Sequence, residues 1–353
     1  MAGTLSGDIN FQGQALTAGS ERAHYLKLFT GEVYEAFRNN LVLKSTIMHR
    51  TLRNGREAQF IHTGRMTSGY HVPGTSLLDA AEQLANAETT ITVDDLLTSQ
   101  AFFYNLDEIL SHYSLRGPVA RQIGHALSQR YDRNVGRVLF KASGADSPLD
   151  GSNSTTAEPG GFRIELGVTN EYDAQALVDG FFEAKSTLEE RNVPVNECTC
   201  VLSPRQYNVL VSQVDTNILN REYGNSQGNL NSGEGLVSIG GLKILRSNNI
   251  PFLGKYGSEN GPAIVNGSVA QGKVNDTWGE RNDYGAAADF ATACGLIYHR
   301  EAAACVDTLG PTIETTGRET RTIYQGDLVV GKVAMGVDQV RPTVAGAFTS
   351  ARS

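Results

Sequence analysis

Long apolar runs are absent from this sequence of 353 residues. No stretch approaches the roughly 20 consecutive apolar residues that a helix needs to cross a bilayer. The N-terminal stretch MAGTLSGDINFQGQALTAGSE has neither the basic start nor the apolar centre of a secretory signal. These absences argue against a membrane protein and a secreted protein, and they predict a soluble protein that is made and used inside a cell.

The motifs that bind phosphate or catalytic zinc are also absent. The sequence contains no G-x-x-x-x-G-K-[ST], no G-x-G-x-x-G and no H-E-x-x-H, and its seven histidines never stand four residues apart. Each motif works by placing glycines or ligands at a fixed spacing, so their absence argues against the nucleotide-binding and zinc-hydrolase classes that depend on them. His62 and His71 are interpreted as solvent-exposed polar positions. We predict no cofactor and no metal site.

Cysteine is scarce, and the four residues are Cys198, Cys200, Cys294 and Cys305. Cys198 and Cys200 lie in the apolar stretch CTCVL, where a strand would place both thiols on one face. A metal site there would need two more ligands, from Cys294, Cys305 or a histidine. Buried free thiols are the favoured interpretation, because free cysteine is often a core residue.

One short stretch fits a catalytic pattern. GNSQG, at Gly224–Gly228, matches the G-x-S-x-G nucleophile elbow around Ser226. That elbow requires a buried strand before the serine and a helix after it, whereas the flanks LNREY and NLNSGEG show neither. Asp94 and Asp95 form a carboxylate pair, but neighbours on a strand point to opposite faces, so we interpret them as solvated or interfacial. We predict that the protein is not an enzyme; an esterase using Ser226 is the enzyme alternative.

The composition, by contrast, allows a large folded core. Hydrophobic residues make up 40% of the chain and charged residues 19%, and the 38 glycines indicate many turns and extended segments. The formal net charge is −8, which favours solubility and argues against a protein that generally coats nucleic acid. A chain of this length forms two domains or one large one.

Charge is distributed unevenly along the first third of the chain. Lys44–His71 contains five basic residues and one acid, a local charge of +4, whereas Val72–Leu115 contains seven acids and no lysine or arginine, a local charge of −7. Overlapping the basic segment, Leu52–Gly74 (LRNGREAQFIHTGRMTSGYHVPG) alternates as a β-hairpin would but holds few large apolar side chains. Isolated two-stranded hairpins are marginally stable in water, so this one needs a surface, on its own chain or on the next copy. Head-to-tail contacts between copies generate rings or lattices.

Periodicity predicts an α+β fold whose strands are separated by long connections. The predicted elements are helices at Tyr25–Phe37, at Arg116–Ser143, after the N-cap Asp173 and after Ser203, with strands at Glu88–Tyr104, CTCVL, Leu242–Arg246 and Cys294–Val306. In the long helix at Arg116–Ser143, apolar residues recur at a spacing of four. We predict that Ile123, Leu127 and Tyr131, on this stripe, belong to the core.

Several segments, in this order, resemble the major capsid protein of short-tailed phages related to coliphage T7. They are YLKLFTGEVYEAF, the basic hairpin from Lys44, DDLLTSQAFFYNLDEILSHYSLR, GLIYHREAAACV and GKVAMGVDQVRPTVAGA. The resemblance extends from about Tyr25 to Phe348 and rests on the order of the segments rather than on a chemically specific motif. It is weakest at 217–235 and 254–286.

The resemblance implies the Hong Kong 97 capsid fold. The implied parts are an N-terminal arm (1–43), an extended hairpin called the E-loop (44–87), a peripheral domain (88–165) with a spine helix (116–143), an axial domain (166–305) and a C-terminal segment (306–353) that returns to the peripheral domain. In this fold the E-loop arginines would contact a neighbouring subunit, and they are Arg50, Arg53, Arg56 and Arg65. The phage that names the fold cross-links its subunits through a lysine, but Lys44 lies at the hairpin base, so we predict no cross-link.

The implied function is that of a viral major capsid protein. Copies would assemble into pentamers and hexamers of an icosahedral shell, in the host cytoplasm, and the shell would enclose double-stranded DNA without sequence-specific binding. Other implied partners are a scaffolding protein and a portal, and no membrane is involved. An encapsulin-type bacterial compartment shares the fold and is the nearest alternative. A nucleic-acid binder that uses the basic hairpin is disfavoured by the net charge of −8.

Overall fold

The computed structural model describes residues 41–64, 68–74, 76, 86–104, 116–149, 158–213, 238–254, 282–285, 287–315 and 322–350. The helix predicted at Tyr25–Phe37, Arg65 and the loop around Ser226 lie outside these ranges. Among the helices within them, none combines the length and apolarity of a membrane span.

Helices and strands are mixed along the chain. The long helices are α1 (Arg116–Ala142), α2 (Ala174–Glu190) and α3 (Pro204–Gln213). The strands are β1 (Met48–Thr51), β2 (Glu57–Thr63), β3 (Asn86–Thr92), β4 (Leu97–Tyr104), β5 (Phe162–Glu165), β6 (Thr199–Leu202), β7 (Ser238–Ile239), β8 (Leu242–Arg246), β9 (Ala293–Tyr298), β10 (Ala303–Thr315), β11 (Gly326–Gln339) and β12 (Ala345–Thr349). They form a four-stranded sheet in the order β1-β10-β11-β4, a six-stranded sheet in the order β5-β12-β9-β6-β8-β7, and the separate pair β2-β3.

The chain divides into two compact units, and the described residues of the smaller one come from Leu96–Gln129 and Leu309–Val333. In this unit β4 is antiparallel to the first half of β11, with Tyr104 opposite Gly326. The N-terminal half of α1 lies against β11 at Gly331, where a Cβ atom would clash with Ile123 Cγ2 and lie 3.3 Å from Leu127 Cδ1. Only a residue without a side chain fits so close to the helix.

The larger unit contains Val42–Asp95, Arg130–Thr308 and Ala334–Ser353. Its six-stranded sheet is covered by α2, in which the Phe181 ring lies 5.3 Å from the Phe348 ring of β12. As predicted, α2 begins after Asp173, whose carboxylate accepts a hydrogen bond from the Gln175 backbone at 3.1 Å. The stretch CTCVL is a buried strand, β6, and all four cysteines are buried and free, which confirms that interpretation.

Two of the sequence predictions are wrong in their boundaries. Leu52–Gly74 does not form a hairpin by itself, because β2 pairs with β3, which lies beyond it. The register places buried Ala58 opposite buried Ile91, so burial of these side chains selects the partner strand. Glu88–Tyr104 is two strands rather than one. The contact with β2 ends at Val93, whose backbone N–H donates to the Arg56 carbonyl at 2.8 Å, and the pairing with β11 begins at Leu97.

Cys294–Val306 is likewise divided, into β9 and the start of β10. A 3₁₀ turn at Arg300–Ala302 separates them, and the His299 side chain accepts a hydrogen bond from the Glu301 backbone there. The turn lets the two halves enter different sheets. A short apolar run therefore looked continuous in the sequence although its two halves have different strand partners.

A buried carboxylate on α1 holds the start of the larger unit. Asp132 is fully buried and accepts hydrogen bonds from the backbone of Val42 at 3.0 Å and Leu43 at 3.2 Å, and from the Asn249 amide at 3.4 Å. Burial raises the pKa of Asp132 to about 6, and the three hydrogen bonds offset only part of that effect. The charged form is therefore less favourable in the fold than in water.

Replacing Asp132 by asparagine is expected to flatten the pH dependence of stability. Because the folded pKa is about 6 and the ordinary pKa of the group is 3.8, this group stabilises the fold most below pH 3.8 and loses that contribution as the pH rises through 6. The loss is about 3 kcal/mol, since one pKa unit is worth about 1.4 kcal/mol. Urea unfolding of the subunit between pH 4.5 and 7.5 measures about 2 kcal/mol of this loss, and the rest falls below pH 4.5. The exposed Glu183→Gln variant is the control, and identical pH slopes for wild type and Asp132→Asn would contradict this account.

Candidate assembly site at the base of the hairpin

Burial of the hairpin β2–β3 is deepest at one end. Ala58 and Ile91, near its base, are buried, whereas Phe60 is half-buried and Ile61 is 71% exposed. The two strands belong to neither larger sheet. Since a two-stranded hairpin gains little stability alone, contacts at its base must fix its direction.

The first of these contacts is a cluster around Asp307, at the point where β10 faces β1. Lys44 and His49 both contact the Oδ2 atom of Asp307, and the His49 Nε2 distance is 2.6 Å. The Tyr131 hydroxyl donates to Oδ1 at 3.2 Å, and the Cys305 thiol lies 3.3 Å from the same atom. Four side chains thus converge on one buried carboxylate.

The charge of this carboxylate is stabilised by its neighbours. Burial by itself would raise the pKa of Asp307, but the Lys44 ammonium and the hydrogen bonds from Lys44 and His49 outweigh it, so the pKa lies below its usual value. The Lys44 Nζ atom also lies 5.1 Å from the centroid of the Tyr131 ring. Lys44, at the hairpin base, is therefore held by an internal ion pair.

The second contact is a cluster around Asp94, directly after β3. Its Oδ1 atom accepts from the backbone and the side-chain amide of Asn282, each at 3.1 Å, and its Oδ2 atom accepts from the Tyr284 hydroxyl. The Asp94 backbone N–H donates to the Met335 carbonyl at 2.9 Å. The interpretation of Asp94 as a solvated or interfacial carboxylate is therefore wrong, because internal donors occupy both oxygens.

The E-loop arginines do not share one environment. Arg50 lies in β1, which pairs in parallel with β10, and it donates to the Gln59 carbonyl at 3.1 Å. Arg53 and Arg56 lie in the exposed turn between β1 and β2, and neither forms an ion pair with any residue that the structure describes. Arg65 lies outside the described ranges.

The residues proposed for the spine-helix core are buried. Ile123 and Leu127 are 3% and 1% exposed in the smaller unit, and Tyr131 is fully buried in the larger one. Burial raises the pKa of Tyr131 well above its ordinary value, with Cys305 and Asp307 adding to the effect. The Tyr131 hydroxyl therefore stays neutral and donates to Asp307.

The remaining polar positions were candidates for metal binding or for exposure to solvent. No set of three or more His, Cys, Asp or Glu side chains could hold a metal ion there. His71 is exposed, as predicted. The same prediction is wrong for His62, whose two ring nitrogens are buried and have no hydrogen-bond partner among the described residues. Burial lowers the pKa of His62, and the nearby charges of Glu158, Arg341 and Glu301 modify it further.

Sequence reasoning did not identify Asp307 or Asp94 as structural centres. A signal for Asp307 was present, since the stretch AAACVDTLG places one acid inside an apolar strand, and buried carboxylates require partners. No comparable signal pointed to Asp94. Its donors are 188 or more residues away in the sequence.

Comparison with known proteins identifies the family. Residues 59–349 match the model of the Gp10A-like family, described as major capsid protein. The chain is 27% identical to the major capsid protein of Enterobacteria phage T3, over 96% of this chain and 94% of that protein, and 26% identical to the major capsid protein of Escherichia phage T7, over 94% and 93%. It also resembles the solved capsid structure of the cyanophage P-SCSP1u, with 27% identity, a TM-score of 0.69 and 89% of each chain covered. The predicted α+β class and Hong Kong 97 capsid fold are confirmed, and the chain belongs to the Gp10A-like family of phage major capsid proteins.

Proposed function

We propose that copies of this chain form the pentamers and hexamers of an icosahedral shell, and that each hairpin β2–β3 docks on a neighbouring subunit. The observation that carries the second part is the hairpin itself, which is held at its base by Asp307 and Asp94 and paired with neither large sheet. A rigid base combined with exposed side chains at Ile61, Thr63, Asn86 and Glu88 suits an element that reaches another molecule. Many weak contacts of this kind suit a lattice, because misplaced subunits can dissociate and bind again.

Arg53 and Arg56 supply the charge for this contact. Both are exposed and have no ion pair with a described residue of their own chain, whereas the whole chain carries a net charge of −8. A neighbouring copy therefore carries the opposite sign of net charge to these side chains. One exposed ion pair contributes only about 0–1 kcal/mol, but every subunit of a shell repeats the contact.

Reversing both arginines to glutamate is expected to block shell formation without unfolding the subunit. Attraction becomes repulsion at each repeat of the contact, while no ion pair with a described residue is lost. Electron microscopy of particles and thermal unfolding of free subunits measure the two effects separately. Reversal of Arg121 and Arg300, which are also exposed, changes the net charge equally and is the control. Normal shells from the Arg53→Glu/Arg56→Glu variant would contradict the proposed role.

We also propose that the shell encloses double-stranded DNA without sequence-specific binding and that a scaffolding protein and a portal take part in assembly in the host cytoplasm. Family membership and the acidic net charge support this view. The same family match supports a phage shell over an encapsulin-type compartment.

We propose further that the protein has no enzymatic activity. Labelling by a fluorophosphonate probe that Ser226→Ala abolishes would disprove that part.

A further inference from the structure

The strand β4 is an edge strand without the usual protection. It ends the four-stranded sheet, pairing with β11 on one side only among the described strands. Its eight residues, LTSQAFFY, include no charge, no proline and no glycine. Soluble proteins normally protect an edge of this length with such residues, because free backbone groups pair with other chains. By comparison, the edge strands β1 and β5 are four residues long and carry charges, and β7 has two residues.

An apolar patch extends this edge at its C-terminal end. The rings of Phe102 and Tyr104 are 38% and 57% exposed and meet edge to face at 4.8 Å. Ile323 and Tyr324, which are 73% and 61% exposed, stand just before Gly326, the residue opposite Tyr104. Exposed apolar patches mark surfaces that another molecule covers. The edge and the patch together indicate that β4 is covered in the assembled state.

The same chain offers a strand of similar length with an open edge. In the pair β2–β3, the outer side of β2 is partly occupied, because Arg50 donates to the Gln59 carbonyl at 3.1 Å. On β3 the corresponding contact is confined to the base, where the Asn282 amide donates to the Thr92 carbonyl at 2.7 Å. The rest of β3 has no further hydrogen bond on its outer side within the described residues. It is rich in threonine, which favours strands, and Glu88 is its one charged residue.

We propose that β3 of one copy adds to the free edge of β4 in a second copy of this chain. This inference rests on the proposed docking of the hairpin and names the surface that receives it. Each copy then places its β3 against the β4 edge of one neighbour and receives the β3 of another neighbour at its own β4. Such a head-to-tail contact closes into rings when the rotation between copies fits. Main-chain hydrogen bonds supply the affinity, and the absence of charge on β4 avoids burying an unpaired charge beside the new strand.

Cysteine cross-linking tests the choice of partner strand. Gln100 on β4 and Asn86, Glu88 and Thr90 on β3 are exposed and alternate along their strands, so Gln100→Cys is combined in turn with Cys at each β3 position. After mild oxidation, shells that carry one of these cysteine pairs are expected to give a ladder of covalent multimers on denaturing gels. Shells of the single-cysteine variants are expected to stay monomeric on the same gels. The native thiols do not interfere, because all four are buried. Gln100→Cys with Gln59→Cys, on β2, is the matched control.

Hydrogen exchange tests whether the β4 edge is covered at all. Peptides containing Leu97–Tyr104 and Asn86–Thr92 are expected to contain amides that exchange at least tenfold more slowly in shells than in free subunits, whereas the buried strand β6 exchanges equally in both. Intact shells with unprotected β4 would overturn the inference and leave the proposed function standing. Protection of β4 without protection of β3, or dimers of Gln100→Cys alone, would assign β4 to another partner and also overturn it. If the wild-type chain formed no shells with its scaffold, the result would contradict both the proposed function and this inference.

Discussion

Replacing Asp307 by alanine is expected to destabilise the subunit by about 3–5 kcal/mol, enough to leave most of it insoluble. Removing one member of a buried charged cluster leaves the other buried members without a partner. Lys44 and His49 would lose their shared acceptor, and the Tyr131 hydroxyl would lose its hydrogen bond at 3.2 Å. Domains are commonly stable by only 5–15 kcal/mol, so one substitution would remove a large part of the total. Denaturant unfolding of whatever subunit remains soluble measures the loss.

The conservative variant Asp307→Asn separates loss of charge from loss of packing. Asparagine keeps the shape of the carboxylate but cannot neutralise Lys44, so we expect a smaller loss than for alanine. The pH dependence gives an independent check. Because the pKa of Asp307 is lowered in the fold, its contribution is present above the ordinary pKa of 3.8 and disappears as the pH falls through the folded pKa. Equal stability of wild type and Asp307→Ala at pH 7 would show that the cluster is not a structural centre.

The sequence predicted those elements whose pattern is local. The helix after Asp173 was predictable because an N-cap residue and apolar spacing lie within one segment, and β6 because its apolar stretch is short and continuous. The hairpin register was not predictable from its first strand. It depends on Ala58 meeting Ile91, 33 positions away, and the turn dipeptide Pro73-Gly74 between them does not by itself fix the register of strands so far apart.

The candidate site shows the same division between local and distant information. The excess of arginine in the hairpin segment is visible in the composition, but the two carboxylates that hold its base bind donors from distant parts of the chain. Lys44 and Asp307 lie 263 residues apart, and Asp94 and Tyr284 lie 190 apart. Pairings of this kind follow from strand order, which periodicity does not determine. Strand order also decides that β4 is an edge, so the sequence alone could not single out its uncharged stretch.

Close packing between α1 and β11 predicts a pair of substitutions that compensate each other. Gly331 is buried, and a Cβ atom there would clash with Ile123 Cγ2. Gly331→Ala alone is expected to cost about 1–3 kcal/mol through overpacking. Ile123→Ala alone is expected to cost about 2–5 kcal/mol through the cavity that it leaves, since Ile123 is 3% exposed.

The double variant Gly331→Ala/Ile123→Ala is expected to lose less stability than the sum of the two single losses. Truncation of Ile123 removes the atom that the new methyl group would strike, and the methyl group fills part of the cavity. Neighbouring substitutions of this kind couple by about 0.5–3 kcal/mol, which a double-mutant cycle of urea unfolding resolves. Leu127→Ala with Gly331→Ala is the matched cycle, and its coupling should be smaller, because Leu127 Cδ1 would lie 3.3 Å from the added atom, a tight contact that a shift of a few tenths of an ångström relieves. Strict additivity in the Ile123 cycle would mean that α1 and β11 do not pack at Gly331. It would contradict the assignment of this part of α1 to the core.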